Sequence, residues 1–455
     1  MTDWSAVTVA EALGLSHPGQ HADFTGVGTD SRAIATGALF VALHGERFDG
    51  HDFLPAVRDA GARGAVVRRG TPAVPGLMLF SVDDTLTALG QLAAYRRRRI
   101  TGPVVAITGT NGKTATKEMA ARVLGTRWHV HTTPGNLNNE IGVPLTVLGA
   151  PDDAEALVVE AGANLPGEIG RLRAIIQPTV AIVTNVGAGH LAGFGGLDAV
   201  LVEKTSLLVG AGLAIVGPDP ASLAVRARTL VPRVVVAGLE GDVDLRPDRW
   251  ALDTDGRVEL VVDGTAVQLP LAGRHQAANA MLVLALAKEL DLERHAVVAA
   301  LRNVQLPGGR WEVHYAGDRT VVHDAYNANP ASLHAALDTL RAIAHDRPVV
   351  LLLGSMLELG PTAAAAHAAA AAAAVALAPV LVGVVGDFVP AFAPYRAALG
   401  DRLVTAPDPD ALGQAVAPRV PARAVVLLKA SRGVRLERAL PHLLASREAP
   451  CSTTS

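Results

Sequence analysis

The run Thr108-Gly109-Thr110-Asn111-Gly112-Lys113-Thr114 carries the residue types that hold a nucleoside triphosphate. It follows the apolar run Val104–Ile107 and opens a helix-forming stretch, the setting a phosphate-binding loop requires. Glycines let such a loop curl until backbone N–H groups point at phosphate oxygens, and the helix N-terminus adds the positive end of its dipole. Lys113 is then placed to reach the β- and γ-phosphates, and the Thr114 hydroxyl to ligate Mg²⁺. Gly109 and Gly112 stand three positions apart rather than five, so the loop is a variant of the standard motif.

Two more groups fall at equivalent chain positions. Glu160 closes the apolar run Ala156–Val159, and His190 follows the run Val180–Thr184. Loops after parallel strands open at one edge of the sheet, where ligands bind. A carboxylate and an imidazole beside a nucleotide loop suit divalent-metal coordination. Taken singly, Glu160 could equally cap a helix, and His190 could order its Gly-rich loop. Lys204, next to Glu203, lies in a helical stretch where an exposed lysine is ordinary. Yet the 40 basic residues include five lysines only, at 113, 117, 204, 288 and 429. Arginine carries the rest of the positive charge, so each lysine is a marked choice. Lys117 and Lys288 read as ordinary helix lysines.

The elements around these groups alternate strand and helix. The 455 residues suggest roughly three domains at about 150 residues each. Half the residues are hydrophobic and 18% are charged, which excludes a disordered chain. A net charge of −3 argues against a broad nucleic-acid surface. The pattern predicts an α/β protein of three domains. A central, mostly parallel-sheet ATPase domain of P-loop type (101–305) is flanked by a smaller α/β N-terminal domain (1–100) and a Rossmann-like C-terminal domain (306–455). Strands are expected at Val104–Thr108, Ala156–Val159, Val180–Thr184 and Leu213–Val216, with helices at Thr114–Leu124, Leu197–Leu208 and Gln276–Leu290. Val258–Val262 and Ala266–Leu271 read as a hairpin around Asp263-Gly264. The four-arginine run Arg96–Arg99 reads as a solvated helix end beside a linker. Ala368–Gly386 reads as a solvent-side helix feeding a buried strand, so no membrane insertion is expected. The N-terminus lacks a signal-peptide pattern and Cys451 is the single cysteine, so a cytoplasmic protein without disulfides is expected; a monomer is the expectation for its assembly, which the sequence itself leaves open.

The same residues resemble a known family. Gly109–Thr114, the stretch Gly135-Asn136-Leu137-Asn138-Asn139-Glu140-Ile141-Gly142, and Glu160-Ala161-Gly162-Ala163 with Gly167-Glu168-Ile169 are similar to the Mur ligases. Thr29-Asp30-Ser31-Arg32, Gly273-Arg274-His275, Gly309-Arg310, Asp324-Ala325-Tyr326-Asn327-Ala328-Asn329-Pro330 and Lys429-Ala430-Ser431-Arg432 extend the resemblance over most of the chain. The Asn136–Gly142 stretch resembles the branch that joins D-alanyl-D-alanine to a UDP-N-acetylmuramoyl-tripeptide.

The resemblance implies an ATP-dependent amide ligase working through an acyl phosphate, the last cytoplasmic step to the peptidoglycan pentapeptide precursor. The N-terminal domain would bind the UDP substrate and the C-terminal domain the incoming dipeptide. Thr114 and Glu160 would hold one Mg²⁺, and His190 with a CO₂-carbamylated Lys204 would help to hold a second. Lysine suits that role because a desolvated amine can lose its proton, whereas a guanidinium effectively cannot. Asn138, Asn279, Arg310 and Asp324 would serve ATP, and Ser31 and Arg32 the uridine diphosphate. Tyr326, Asn327, Asn329, Lys429, Ser431 and Arg432 would face peptide or reaction centre, with closure about hinges near residues 100 and 305. Ser355 stands for a usual Asp, Ala430 for Gly, Gln276 for Asn, and Thr205-Ser206 for Gly-Glu. The nearest rival is a sister Mur or folylpolyglutamate-type ligase adding one amino acid. A nucleotide-driven switch is the rival of another class, but it would need neither the Glu160, His190 and Lys204 set nor a uridine-binding domain.

Overall fold

A computed structural model describes residues 4–16, 19–45, 47–187 and 194–445. In the N-terminal part, β1 (Trp4–Ser5) and β2 (Asp23–Phe24) pair antiparallel. Four strands, β3 (Val27–Gly28), β4 (Leu39–Val41), β5 (Gly64–Arg68) and β6 (Met78–Val82), form a parallel sheet in that order. The helix α1 (Thr85–Arg97) follows, its first turn capped by the Asp84 carboxylate accepting from Thr87 N at 2.8 Å.

The central sheet is wholly parallel, in the order β12-β11-β10-β7-β9-β8. Its strands are β7 (Val104–Thr108), β8 (Val130–Thr132), β9 (Ala156–Glu160), β10 (Val180–Val183), β11 (Leu213–Val216) and β12 (Val234–Val236). The apolar runs are continuous because both faces are covered. Val104 and Ala106 enter one core cluster, while Val105 and Ile107 enter another. Helices α2 (Lys113–Leu124), α3 (Gly142–Leu148), α4 (Glu168–Ile176) and α5 (Leu197–Thr205) surround the sheet. The expected hairpin forms as β14 (Arg257–Val262) and β15 (Thr265–Ala272), and β13 (Arg249–Leu252) adds a third strand. Asp263 and Gly264 both take positive φ, the turn that matches strand twist. Helix α6 (Arg274–Glu289) leads on from it.

In the C-terminal part, the sheet order is β16-β17-β21-β18-β19-β20, parallel except for β16. The strands are β16 (Glu312–Ala316), β17 (Arg319–His323), β18 (Val349–Leu353), β19 (Leu381–Val384), β20 (Leu403–Thr405) and β21 (Val425–Lys429), with α7 (Pro330–Ala344) after β17. The alanine-rich stretch is a helix, Ala363–Val375, with one face buried through His367, Ala370, Ala371 and Ala374. Among the described residues no helix is long and apolar enough to cross a membrane.

The arginine run departs from expectation. Arg96 and Arg97 are buried, and only Arg98 and Arg99 are exposed. Arg97 donates to the carbonyls of Ile176, Ile100 and Gln177 at 2.7, 2.9 and 2.8 Å, while Arg96 donates to Ala150 O and Asp152. Two of the Arg97 acceptors lie at the C-terminal end of α4, whose last carbonyls lack helical partners and carry the negative dipole end. The run therefore fastens α1 to the central part, beneath a core that Leu89 and Leu92 share with Val147 and Leu172. Arg97→Ala is expected to destabilise the protein by about 2–4 kcal/mol, since it orphans buried carbonyls. A fall in thermal midpoint without loss of helix content in the folded state checks this.

Candidate active site

The phosphate-type loop spans the gap between β7 and α2. Gly109 and Gly112 have φ of 147° and 82°. A Cβ at Gly109 would lie 1.9 Å from Thr184 Oγ1, and one at Gly112 would lie 2.4 Å from Asn279 Oδ1, so neither position tolerates a side chain. The loop is stitched to the end of the neighbouring strand β10. Thr110 N donates to Asn185 O at 2.9 Å, Asn111 N to Asn185 Oδ1 at 3.1 Å, and Thr184 Oγ1 to Asn111 O at 2.6 Å. Lys113 Nζ folds back on the carbonyls of Gly109 and Thr110, at 2.9 and 3.2 Å.

Glu160 is the buried last residue of β9, one strand over from the loop. Its Oε2 accepts from Thr114 Oγ1 at 2.9 Å and its Oε1 from Asn138 Nδ2 at 2.7 Å. Its backbone N donates to Thr133 Oγ1 at 2.9 Å, and the Thr133 carbonyl accepts from Lys117 Nζ at 2.9 Å. Lys117 thus departs from the expected exposed lysine. It is 1% exposed, paired with Glu118, and braces the strand end that holds Glu160. Lys288 does sit at the surface, against Asp263.

Lys204 lies buried on α5. The carboxylate of its neighbour Glu203 accepts from Gly167 N and Ile169 N, both at 2.7 Å, capping the start of α4 and anchoring α5 there. Among the described residues no hydrogen bond to Lys204 Nζ is present, and the amine stands over the Phe194 ring at 5.8 Å. Burial, and then the charge of Lys113, push its pKa down to about 7, with Glu203 and Glu168 acting the other way. Lys113 is also lowered, by desolvation, with Arg310 adding to the effect and Glu160 opposing it. Lys113 is thus electrostatically coupled to Lys204 on one side and to Arg310 and Glu160 on the other, while Glu203 and Glu168 face Lys204. His190 lies outside the described residues.

The C-terminal part reaches the same loop twice. Arg310 Nη2 donates to Thr114 Oγ1 at 3.2 Å, and Asn329 Nδ2 donates to Asn111 Oδ1 at 2.8 Å. Arg310 stacks over Tyr326 at 3.5 Å, and Arg432 stands 5.7 Å from that ring. Other expected contacts are engaged within the C-terminal part. Lys429 Nζ, 3% exposed, binds Asp324 Oδ2 at 2.6 Å and the Asn327 carbonyl at 3.0 Å, while Asp324 Oδ1 accepts from Trp311 N. Ser431 Oγ donates to Ala328 O and accepts from Leu357 N. Ser355 is a buried pin whose hydroxyl accepts from Asp387 N at 2.8 Å. Asn279 is buried against Gln276 and Gly112. Ser31 and Arg32 occupy a turn of the N-terminal part, where Arg32 grips Asp30 through two hydrogen bonds and draws its pKa down to about 2.

Motif reading passed over Asn185 and Thr133 and gave no role to His275, although it lies in the Gly273-Arg274-His275 motif. Asn185 follows the strand beside the loop, a position that adjacency in a parallel sheet would have flagged. Thr133 carries no such mark. His275 Nδ1 is buried without a hydrogen-bond partner, and desolvation holds its pKa near 4.

Three family models match the chain: the Mur ligase family catalytic domain over residues 23–97, the Mur ligase middle domain over 107–287, and the Mur ligase glutamate ligase domain over 309–432. A UDP-N-acetylmuramoyl-tripeptide--D-alanyl-D-alanine ligase of Bacillus subtilis is 32% identical over 92% of this chain and 93% of its own length. The Escherichia coli protein of that name is 36% identical over 76% of this chain and 78% of its own. Among solved structures, MurF from Acinetobacter baumannii superposes with a TM-score of 0.86 at 30% identity, covering 97% and 98% of the two chains. MurF from Thermotoga maritima in complex with ADP gives 0.83 at 27%, covering 92% and 96%. A folylpolyglutamate synthase of Mycobacterium tuberculosis, at 0.62 and 21% over 79% of this chain and 94% of its own, shares the fold alone. Matched along its length by family models and by relatives of similar size, this chain belongs to the Mur ligase family.

Proposed function

We propose that this protein uses ATP to join D-alanyl-D-alanine to UDP-N-acetylmuramoyl-tripeptide. The observation that carries the reading is the convergence of Lys113, Thr114, Asn138, Glu160 and Arg310 around one glycine loop, in a chain similar at full length to ligases of that name. The terminal carboxylate of the tripeptide attacks the γ-phosphorus of ATP, and ADP leaves. The dipeptide amine then attacks the acyl carbon, loses a proton, and the tetrahedral intermediate expels phosphate as the amide forms.

Each residue has a physical task in this sequence. The curled loop and the N-terminus of α2 receive phosphate oxygens, and Lys113 exchanges its loop carbonyls for the β- and γ-phosphates. Arg310 brings a second cation from the C-terminal part and ties its approach to the nucleotide. Two Mg²⁺ ions, when bound, neutralise phosphate charge as Lewis acids. The Thr114 hydroxyl and Glu160 carboxylate, already oriented by Asn138, fit one of them. His190 and a carbamylated Lys204 are assigned to the other. Lys204 suits carbamylation because burial and the charge of Lys113 favour its neutral amine, and only a neutral amine takes up CO₂.

The test is phosphate release measured with each substrate omitted in turn. Release that requires ATP, the UDP-tripeptide and D-alanyl-D-alanine together supports ligation, and release indifferent to the two peptides overturns it. Running the assay with tripeptides ending in diaminopimelate or lysine identifies the third residue. Lys117→Met is expected to raise the Mg²⁺ concentration for half-maximal turnover about tenfold, because it frees Thr133 and with it the backbone of Glu160. A Mg²⁺ titration of initial rates checks that value.

A further inference from the structure

A second cluster of ligand-type side chains lies outside the cleft, on the hairpin of β16 and β17. Glu312 is paired opposite His323, and His314 opposite Val321. Residues two apart on one strand share a face, as do directly opposed residues, so Glu312, His314 and His323 stand on the same side. Their potential ligand atoms all lie within 4.8 Å of one another. Glu312 Oε1 is 3.3 Å from His314 Nε2, and Oε2 is 3.4 Å from His323 Nδ1.

Those separations are long for charge-assisted hydrogen bonds, which run to about 2.7–2.9 Å. They involve the two different oxygens of one carboxylate, and each is comparable with the roughly 3.3–3.4 Å between neighbouring ligand atoms that lie about 2.0–2.1 Å from a tetrahedral ion. His314 Nε2 is buried and has no hydrogen-bond partner, an uncommon state for a buried polar atom. The cluster thus brings an unsatisfied nitrogen, a second imidazole and a carboxylate to one point.

We propose that Glu312, His314 and His323 bind one divalent transition-metal ion of the zinc class, separate from the nucleotide cleft, with water completing the coordination. Two imidazoles and a carboxylate favour Zn²⁺, Co²⁺ or Ni²⁺, whereas Mg²⁺ prefers an octahedron of oxygens. The partial exposure of Glu312 gives water access to the open position. Glu312 Oε2 also accepts from Gly309 N at 3.0 Å. The site therefore clamps the turn that carries Arg310 to Thr114, and an ion there stiffens that turn.

The test uses the full chain, stripped with a chelator and titrated with Co²⁺ in excess Mg²⁺, which keeps the oxygen-rich cleft supplied with its own ion. One equivalent of Co²⁺ is expected to develop a visible d–d absorption that Zn²⁺ displaces. The His314→Ala/His323→Ala double variant should lose the band, and Glu312→Gln should bind at least about tenfold more weakly. Should the double variant fail to fold, Zn²⁺ protection of His314 and His323 against diethyl pyrocarbonate, mapped by mass spectrometry in the parent chain, decides the matter. No Co²⁺ band in the parent chain, the same band in a folded double variant, or imidazoles equally reactive with and without Zn²⁺ would each overturn the site.

Discussion

Lys204→Ala is expected to lower turnover by at least about 10²-fold, the scale on which a preorganised electrostatic group acts. The side chain is buried, its amine makes no hydrogen bond among the described residues, and the charge of Lys113 opposes its own. As an ammonium ion such a lysine has no described partner to stabilise it; a carbamate there would be an anion, and the charge of Lys113 would then attract it. Short carboxylates added to the alanine variant should restore part of the activity by occupying the vacated space, and bicarbonate-depleted buffer should slow the parent chain but not the variant. Full activity in the variant would refute the role.

The same residue has a second, independent readout in stability. Its folded pKa of about 7 lies below the ordinary 10.5, so between these values the unfolded chain binds more protons than the folded one. Stability therefore rises with pH across that window. Below pH 7 the penalty of burying the charge is fully present. In CO₂-free buffer without nucleotide, Lys204→Met should be more stable than the parent chain by on the order of a few kcal/mol at pH 6, with the gap closing as pH rises toward 10. Chemical denaturation at a series of pH values measures it. A gap that widens with pH would contradict the buried-charge account.

Lys113→Ala is expected to cut turnover by about 10³-fold while leaving the secondary structure intact. The amine caps the Gly109 and Thr110 carbonyls, so its removal costs modest stability, and on the proposed role it deletes the loop's own cation for the β- and γ-phosphates. Lys113→Arg should not rescue. Two carbonyls of one tight loop present a cradle for a point charge, and the planar guanidinium fork is too large for it. Initial rates against ATP concentration, with circular dichroism as the folding control, separate the outcomes. Unchanged turnover would mean that the loop does not serve the phosphates.

The loop itself was legible because its chemistry is contiguous. Strand, glycines, Lys-Thr and helix follow one another, and the backbone path they dictate is local. The alternation of apolar runs likewise announced the parallel sheets, since strands covered on both faces admit few polar residues. The lysines show where such reading stops. Lys117 and Lys204 both sit in helices with unremarkable neighbours, yet one braces Thr133 and the other is left without a described partner. Arg96 and Arg97 read as solvated from their charge alone, although a guanidinium fork can be buried where helix-end carbonyls receive it.

From sequence alone followed the α/β class, the glycine loop between strand and helix, the family resemblance and the set of candidate residues. These depend on residue type and near-neighbour spacing, which a one-dimensional pattern preserves. Only the tertiary structure decided that Thr114, Glu160 and Arg310 meet, that Asp324 is taken up by Lys429, and that the end of α1 is fastened under α4. Those contacts join positions tens to hundreds of residues apart. Strand order, register and the docking of separate cores set their distances, and a buried partner changes a group's charge state in ways its chain neighbours do not encode.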